Sequence, residues 1–437
     1  MMDDAAERAA RLRTQLPKGG LFAGQEWRMA LEPFQFPPGM AAEFENLGRV
    51  LLQFYRAANL LYRQSAEGRQ PTWVASLLDQ GKPESLIATQ RNVRFKNDIP
   101  RVLRPDILLT DDGWRITELD SVPGGIGLTA WLNQAYAGEG LRVLGGARGM
   151  SDGFHGIFED ASKVGIVVSE ESSTYQPEME WLASMLGERF TVHGSEWNGW
   201  ADGDAAYRFF ELFDLPNIPC AEKMLADAAS GRLLITPPPK AFLEEKLLMA
   251  LLWNDNLRDF WQRELGSGFY RQLRKVIPQS WVMDPTPLPP HAAIPGLELT
   301  SWDRLVSLSQ RERKLVLKVS GFSERSWGAR SVRLGHDLSQ AEWASAVEEA
   351  LADFSNSPWI LQRYHKPCRV EQSWYDFDSG EKSTLKGRVR VCPYYFVHGD
   401  IDSPETTLGG ALATVCPADK KIIHGMRVAV LAPCAAE

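Results

Sequence analysis

The chain has 437 residues, of which 44% are hydrophobic, 24% charged and 10% aromatic, with a formal net charge of −8. That length exceeds one ordinary core and points to two or three domains of a globular chain, not a disordered one. The acidic balance argues against a general nucleic-acid binder, and five widely spaced cysteines with no C-x-x-C pair suggest neither a zinc site nor a disulfide framework.

The opening MMDDAAERAARLRTQL is a polar helical pattern without an apolar h-region, so no signal peptide is expected. No apolar run approaches a membrane span, so neither a membrane nor a nucleic acid is an expected partner, and a cytoplasmic location is the expectation. FENLGRVLLQFYRAANLLYRQS (44–65) places apolar residues three and four apart and predicts an amphipathic helix. RNVRFKNDIP (91–100) reads as a loop or strand feeding RPDILLTDDGWRITELDSVPGG (104–125), two strand-like runs about a turn, after which GLTAWLNQAYA (127–137) resumes helical spacing. Residues 1–150 are thus expected to be a helical region plus a hairpin.

A second domain is expected over 151–236. There KVGIVVSEESSTYQPEMEWLASMLGERFTVH (163–193) reads as strand, polar loop, helix and strand, the alternation of a parallel sheet. A third is expected over 237–437, after the proline-rich boundary Pro237–Pro239. KAFLEEKLLMALLWNDNLRDFWQREL (240–265) predicts one long helix, KLVLKVSG (314–321) a strand, AEWASAVEEALADF (341–354) a helix and PWILQRY (358–364) a strand. GRVRVCPYYFVHG (387–399) and TTLGGALATVCP (406–417) complete an antiparallel set.

The stretch 104–125 carries charges where a strand normally buries side chains. A three-residue loop Asp111-Asp112-Gly113, with Gly113 left-handed, opposes Thr110 to Trp114, Leu108 to Ile116, Asp106 to Glu118 and Arg104 to Asp120. Alternation along each strand then puts Arg104, Asp106, Glu118 and Asp120 on one face. Directly opposed carboxylates repel unless a cation lies between them. Hard oxygen ligands suit Mg²⁺ or Mn²⁺. A solvated face with an Arg–Asp surface pair accounts for the pattern equally well.

Lys318, near the end of its strand, precedes SGFSERSWGARSV, a loop of small residues with Gly321 and Gly328. Such a lysine and loop suit nucleotide phosphates, although no Walker pattern is present; a surface lysine beside an ordinary loop is the plainer explanation. Lys246 likewise reads as a phosphate contact or a solvated helix residue. Arg388 and Arg390 alternate onto one strand face, as phosphate or carboxylate contacts or as an ion-paired sheet surface. Arg325 and Arg330, in the loop 320–331, are candidates to close over a nucleotide. Gly124, Gly125 and Gly127 allow close approach of a substrate, or simply form a turn.

Together these stretches resemble the circularly permuted ATP-grasp ligases, in particular the synthetase domain of glutathionylspermidine synthase. In that family a hairpin with R-x-D and then E-x-N precedes the nucleotide lysines; here R-P-D (Arg104, Asp106) is followed by E-L-D (Glu118, Asp120), with Asp120 in place of Asn. The resemblance extends over roughly 90–437 and implies a mixed α/β (α+β) ATP-grasp fold with a Rossmann-like pre-ATP-grasp domain. It implies that Asp106, Glu118 and Asp120 bind metal and that Arg104 contacts the γ-phosphate or acyl phosphate. Lys246, Lys318, Gly321, Gln362 and Arg390 would contact ATP, with Gln362 near the adenine amine. Ser121, Gly124 and Gly125 would lie on the substrate side.

The implied activity is an ADP-forming carboxylate–amine ligase working through an acyl phosphate on small-molecule or peptide substrates, with ATP and Mg²⁺ (or Mn²⁺) as cofactors. A degenerate ATP-grasp module that binds nucleotide or peptide, and a metal-dependent phosphohydrolase, are the alternatives. The seven histidines form no H-x-H or H-x-x-x-H pair, and no G-x-S-x-G is present, which disfavours a zinc or serine hydrolase.

Overall fold

A computed structural model describes residues 4–19, 22, 27–158, 161–326, 328–400, 403–420, 422–423 and 428–436. The chain folds as two units. One comprises Met1–Tyr55, Thr89–Lys240 and Pro367–Glu437; the other comprises Arg56–Ala88 and Ala241–Lys366.

The first unit contains two sheets among the described residues. The larger is seven-stranded, in the order Arg28–Met29, Val430–Pro433, Glu405–Pro417, Glu381–His398, Val102–Thr110, Gly113–Asp120. Val370–Asp376 pairs with the first third of Glu381–His398. That 18-residue strand runs further toward the N-terminus than the predicted 387–399. Its later half is almost wholly buried, because one flank pairs with Glu405–Pro417 and the other with Val102–Thr110.

The smaller sheet is parallel, in the order Phe190–Gly194, Val164–Val168, Asp204–Phe209, Leu233–Thr236. Its two central strands, VGIVV and DAAYRF, are buried at every position. Continuous burial of this kind is what a parallel strand covered on both faces requires. The helices Gln176–Leu186 and Ala221–Ser230 provide crossovers. Tyr207 and Phe209 join a core with Met179, Leu182, Ile126 and Tyr394, so the small sheet, the helix Ile126–Gly138 and the large sheet share one interior.

The second unit is built on an antiparallel sheet in the order Arg333–Leu334, Leu315–Val319, Trp359–Arg363, Ser280–Val282. The helix Gln340–Ala352 opens on a capping box of Ser339 and Glu342 and packs Trp343 and Val347 into a core with Leu317, Val319, Trp359 and Leu361.

The single helix expected over 240–265 is broken. A 3-10 turn at Ala241–Glu244, the helix Leu247–Trp253, a second turn at Asp255–Leu257 and the helix Arg258–Val276 replace it. The break is local chemistry: Asn254 leaves the helical region (φ −71°, ψ 119°), and its side chain accepts the Asn256 N–H. No helix of the described residues is long and apolar enough to cross a membrane.

Candidate active site

The hairpin differs from its expected register at one end only. Thr110 pairs with Gly113, so the loop is the two residues Asp111-Asp112, and Leu108 faces Arg115 instead of Ile116. A bulge between Asp106 and Ile107 then leaves Thr117 as the extra residue of the opposing strand. Beyond it Asp106 faces Glu118 and Arg104 faces Asp120, as expected. Gly113 holds φ 112°, which an L side chain resists.

Guanidinium groups pair with Asp106 and Asp120 on this face. Arg104 Nη2 lies 3.1 Å from Asp106 Oδ1 and 2.8 Å from Asp120 Oδ2. Arg390 Nη1 lies 3.1 Å from Asp106 Oδ2, and the Cys392 thiol donates to Asp106 Oδ1 at 3.4 Å. Burial opposes the charge on Arg104, but Asp106 and Asp120 outweigh it and raise its pKa. Burial pushes the Asp120 carboxyl up; Arg104 pulls it down, while Glu118 and Asp106 push it further up. Burial, reinforced by Asp106, lifts the Cys392 thiol to about 12, which keeps it protonated and unreactive.

A divalent ion does not fit this arrangement as it stands. Both Asp106 oxygens are engaged by Arg104, Arg390 and Cys392, and the second Asp120 oxygen accepts the Val122 N–H at 2.9 Å. No group of three His, Cys, Asp or Glu side chains converges to hold a metal among the described residues. Where the sequence reading expects a metal among Asp106, Glu118 and Asp120, two arginines lie against Asp106 and one of them against Asp120.

The stretch after the hairpin is filled by the protein's own side chains. Buried Ser121 shares a 3.2 Å hydrogen bond with the Tyr55 hydroxyl. A Cβ on Gly124 would sit 2.4 Å from the Tyr175 ring, one on Gly125 2.5 Å from the Tyr394 hydroxyl, and one on Gly127 2.2 Å from the Glu178 carbonyl oxygen. The Glu178 carboxylate, fully buried, accepts the N–H of Gly125 at 2.7 Å and of Leu128 at 2.9 Å. The Gly124 carbonyl accepts from Arg104 Nη1 at 3.0 Å and from the Tyr394 hydroxyl at 2.8 Å. These glycines therefore permit close approach, but of internal groups.

In the second unit, Lys318 pairs with Ile360 across the sheet, which puts it on the same face as Gln362. Lys318 Nζ donates to Gln362 Oε1 at 3.0 Å, and the Gln362 amide donates to Ser280 Oγ at 3.2 Å. Lys246 is the N-cap of the helix Leu247–Trp253 and is buried, so it is not the solvated helix residue its sequence allows. Its Nζ reaches the Ser326 carbonyl at 3.2 Å and the Ser320 carbonyl at 3.5 Å. Gly321 passes so close to the preceding segment that a Cβ there would lie 3.0 Å from the Glu244 carbonyl.

The two loop arginines make contacts within the second unit. Arg325 pairs with Glu349 at 2.8 Å and with Asp353, both at the helix Gln340–Ala352 and its end. Arg330 reaches the Glu324 carbonyl at 3.4 Å. In the first unit Arg388, two residues from Arg390, donates to the Lys420 carbonyl at 3.4 Å.

Two features escaped the sequence reading. Lys82 forms a 2.5 Å ion pair with Glu245, both side chains 1% exposed, and Ser320 Oγ donates to the same carboxylate. Nothing in GKPESL announces this pairing across 163 residues. Glu178 carried a faint signal: with Leu182 it falls on the buried side of QPEMEWLASML, four residues apart.

No protein-family model matches the chain, and no curated protein matches it. Among solved structures it is similar to a glutathione synthetase-like effector from Globodera pallida in apo form, at 13% identity and a TM-score of 0.57, covering 99% of this chain and 96% of that one. The chain has a glutathione synthetase-like fold. A protein from Methylobacillus flagellatus with a provisional gamma-glutamylcysteine synthetase name aligns over 88% of each chain, at 10% identity and a TM-score of 0.40.

Proposed function

We propose that the chain is an ADP-forming ligase joining a carboxylate to an amine with ATP, built as a circularly permuted ATP-grasp enzyme of the kind found in glutathionylspermidine synthase. The observation that carries this is the buried polar lattice of the second unit, in which Lys318 and Gln362 share one sheet face and Lys246 caps a helix over the 320–326 loop. Two buried ammonium groups beside a backbone-rich loop favour a polyanion, and an amide at the sheet supplies directional hydrogen bonding to a base. Likeness of fold over nearly the whole chain supports the same assignment.

In such a reaction a carboxylate oxygen attacks the γ-phosphorus and ADP leaves. The amine nitrogen then attacks the acyl carbon, loses a proton, and inorganic phosphate departs. The contribution of this chain's residues is positioning and charge neutralisation. Lys246 and Lys318 hold the nucleotide, while Arg104 and Arg390 present guanidinium forks suited to an acyl phosphate. Mg²⁺ would accompany the nucleotide and offset its phosphate charge, and no step is assigned to a protein-held metal.

One observation favours a second reading, a module that binds nucleotide or a peptide without turnover: Asp106 is already saturated by Arg104 and Arg390. ADP release from MgATP, screened with amino acids, small peptides and polyamines, separates the two. Release stimulated jointly by a carboxylate and an amine supports the ligase. ATP binding without release throughout the screen supports the module, and failure to bind any nucleotide removes the ligase and leaves the module only its peptide-binding form.

A further inference from the structure

Glu178 is fully buried, yet the catalytic scheme above gives it no task. A buried carboxylate is expensive unless its oxygens are satisfied. Here each oxygen accepts one backbone N–H at the start of the helix Ile126–Gly138, from Gly125 and from Leu128. Those N–H groups have no partner within the helix and carry the positive end of its dipole. Gly127 has no Cβ to hold Glu178 away, and Gly125 turns the chain at φ 86°.

The Gly125 N–H and the Gly124 carbonyl belong to one peptide group. At its N–H end sits Glu178, at 2.7 Å. At its oxygen end sit Arg104 Nη1 at 3.0 Å and the Tyr394 hydroxyl at 2.8 Å. The other face of the same guanidinium holds Asp106 and Asp120. A planar, rigid peptide therefore couples an acid on the Gln176–Leu186 helix to an arginine on the hairpin.

We propose that Glu178 is a positioning residue, fixing the Gly124–Gly125 peptide so that its carbonyl aims Arg104 at the transferring phosphoryl group; this rests on the ligase reading above. Reversing that peptide would turn an N–H toward Arg104 and a carbonyl toward Glu178, removing both attractive contacts at once. The charged and titratable groups around Glu178 are Arg104 of the hairpin, Tyr175 just before its own helix, Tyr207 of the parallel sheet and Tyr394 of the large sheet.

The test is a double-mutant cycle of Glu178→Gln with Arg104→Lys in the full chain at pH 8, read by steady-state kinetics with MgATP and by thermal unfolding. Losing one aligned donor predicts a fall in kcat of about 100-fold for E178Q, with KM for MgATP within about twofold. In the R104K background the same substitution lowers kcat by less than about threefold, and the two Tm losses sum to more than that of the double variant. E178D, which keeps the charge, recovers part of kcat and replaces E178Q in the cycle if that variant does not fold. Multiplicative kcat effects with additive Tm losses overturn the proposal. If the wild type turns over no substrate pair, the ligase reading fails separately, and the Tm cycle alone decides: sub-additive losses sustain the link from Glu178 to Arg104, additive losses end it.

Discussion

Arg390 Nη1 lies 3.1 Å from Asp106 Oδ2, although 284 residues separate them in the chain. The contact arises because Arg390 pairs with Leu108, one strand over and two residues along from Asp106. Asp106 is 6% exposed and is also held by Arg104, so it is the hub of a buried three-charge group. Removing the shared acid takes one carboxylate away from each of two buried guanidiniums, of which Arg104 keeps Asp120. Asp106→Ala is expected to destabilise the fold by about 3–5 kcal/mol, measured by urea unfolding; a loss below about 1 kcal/mol, typical of exposed pairs, would mean the group is solvated.

The pair of Lys82 and Glu245 makes a parallel test in the second unit. Each side chain is 1% exposed, and Ser320 adds a hydrogen bond to the acid. Lys82→Met or Glu245→Gln alone leaves a buried charge and is expected to lower stability by about 3–5 kcal/mol, whereas the double variant loses much less than the sum. Additive losses in urea unfolding would contradict a direct buried pair.

Nucleotide affinity is expected to follow Lys318 and Gln362. Lys318→Met removes a charged donor worth about 1.5–3 kcal/mol, so the Kd for an ATP analogue should rise by about 10- to 100-fold in calorimetry. Arg325→Met, which breaks contacts to Glu349, Asp353 and the Trp359 ring and touches neither Lys318 nor Gln362, should leave that Kd nearly unchanged. Equal effects of the two substitutions would remove the nucleotide site from this lattice.

Glycine placement gives a test that needs no ligand. Gly127→Ala drives a Cβ to 2.2 Å from the Glu178 backbone oxygen, while Gly138→Ala, in the same helix, meets nothing within 4 Å. The first is expected to lower Tm strongly through backbone displacement. The second should leave stability unchanged or raise it by up to about 1 kcal/mol, the helix preference of Ala over Gly.

The acidity of Glu178 fixes a pH dependence. Burial raises its pKa from 4.5 to about 7, with the N–H bonds of Leu128 and Gly125 pulling the other way. The folded state therefore holds a proton that the unfolded chain releases between about pH 4.5 and 7. Its contribution is fully present below 4.5 and lost as pH rises through 7, an amount near 3 kcal/mol for about two and a half pKa steps. E178Q cannot titrate, so its stability relative to wild type should improve by that order between pH 4.5 and 8. A constant difference across the range would show that Glu178 stays ionised throughout.

The sequence by itself determined what depends on periodicity and nearest neighbours. Alternation put Arg104, Asp106, Glu118 and Asp120 on one face, because a strand's side chains repeat every two residues. Helical spacing marked 44–65, 127–137 and 341–354, which the structure places within the helices Met40–Ala66 and Ile126–Gly138 and at Gln340–Ala352. The tertiary structure alone decided the partners. Pairing of Glu381–His398 with the hairpin delivered Arg390 to Asp106, so arginine supplies the countercharge there. A bulge at Thr117 restored a register that the two-residue turn had shifted. Docking of the Gln176–Leu186 helix brought Glu178 to Gly125, and folding of 56–88 against 241–366 brought Lys82 to Glu245. Contacts of that range depend on which strands and helices become neighbours, and no local pattern of residues encodes that choice.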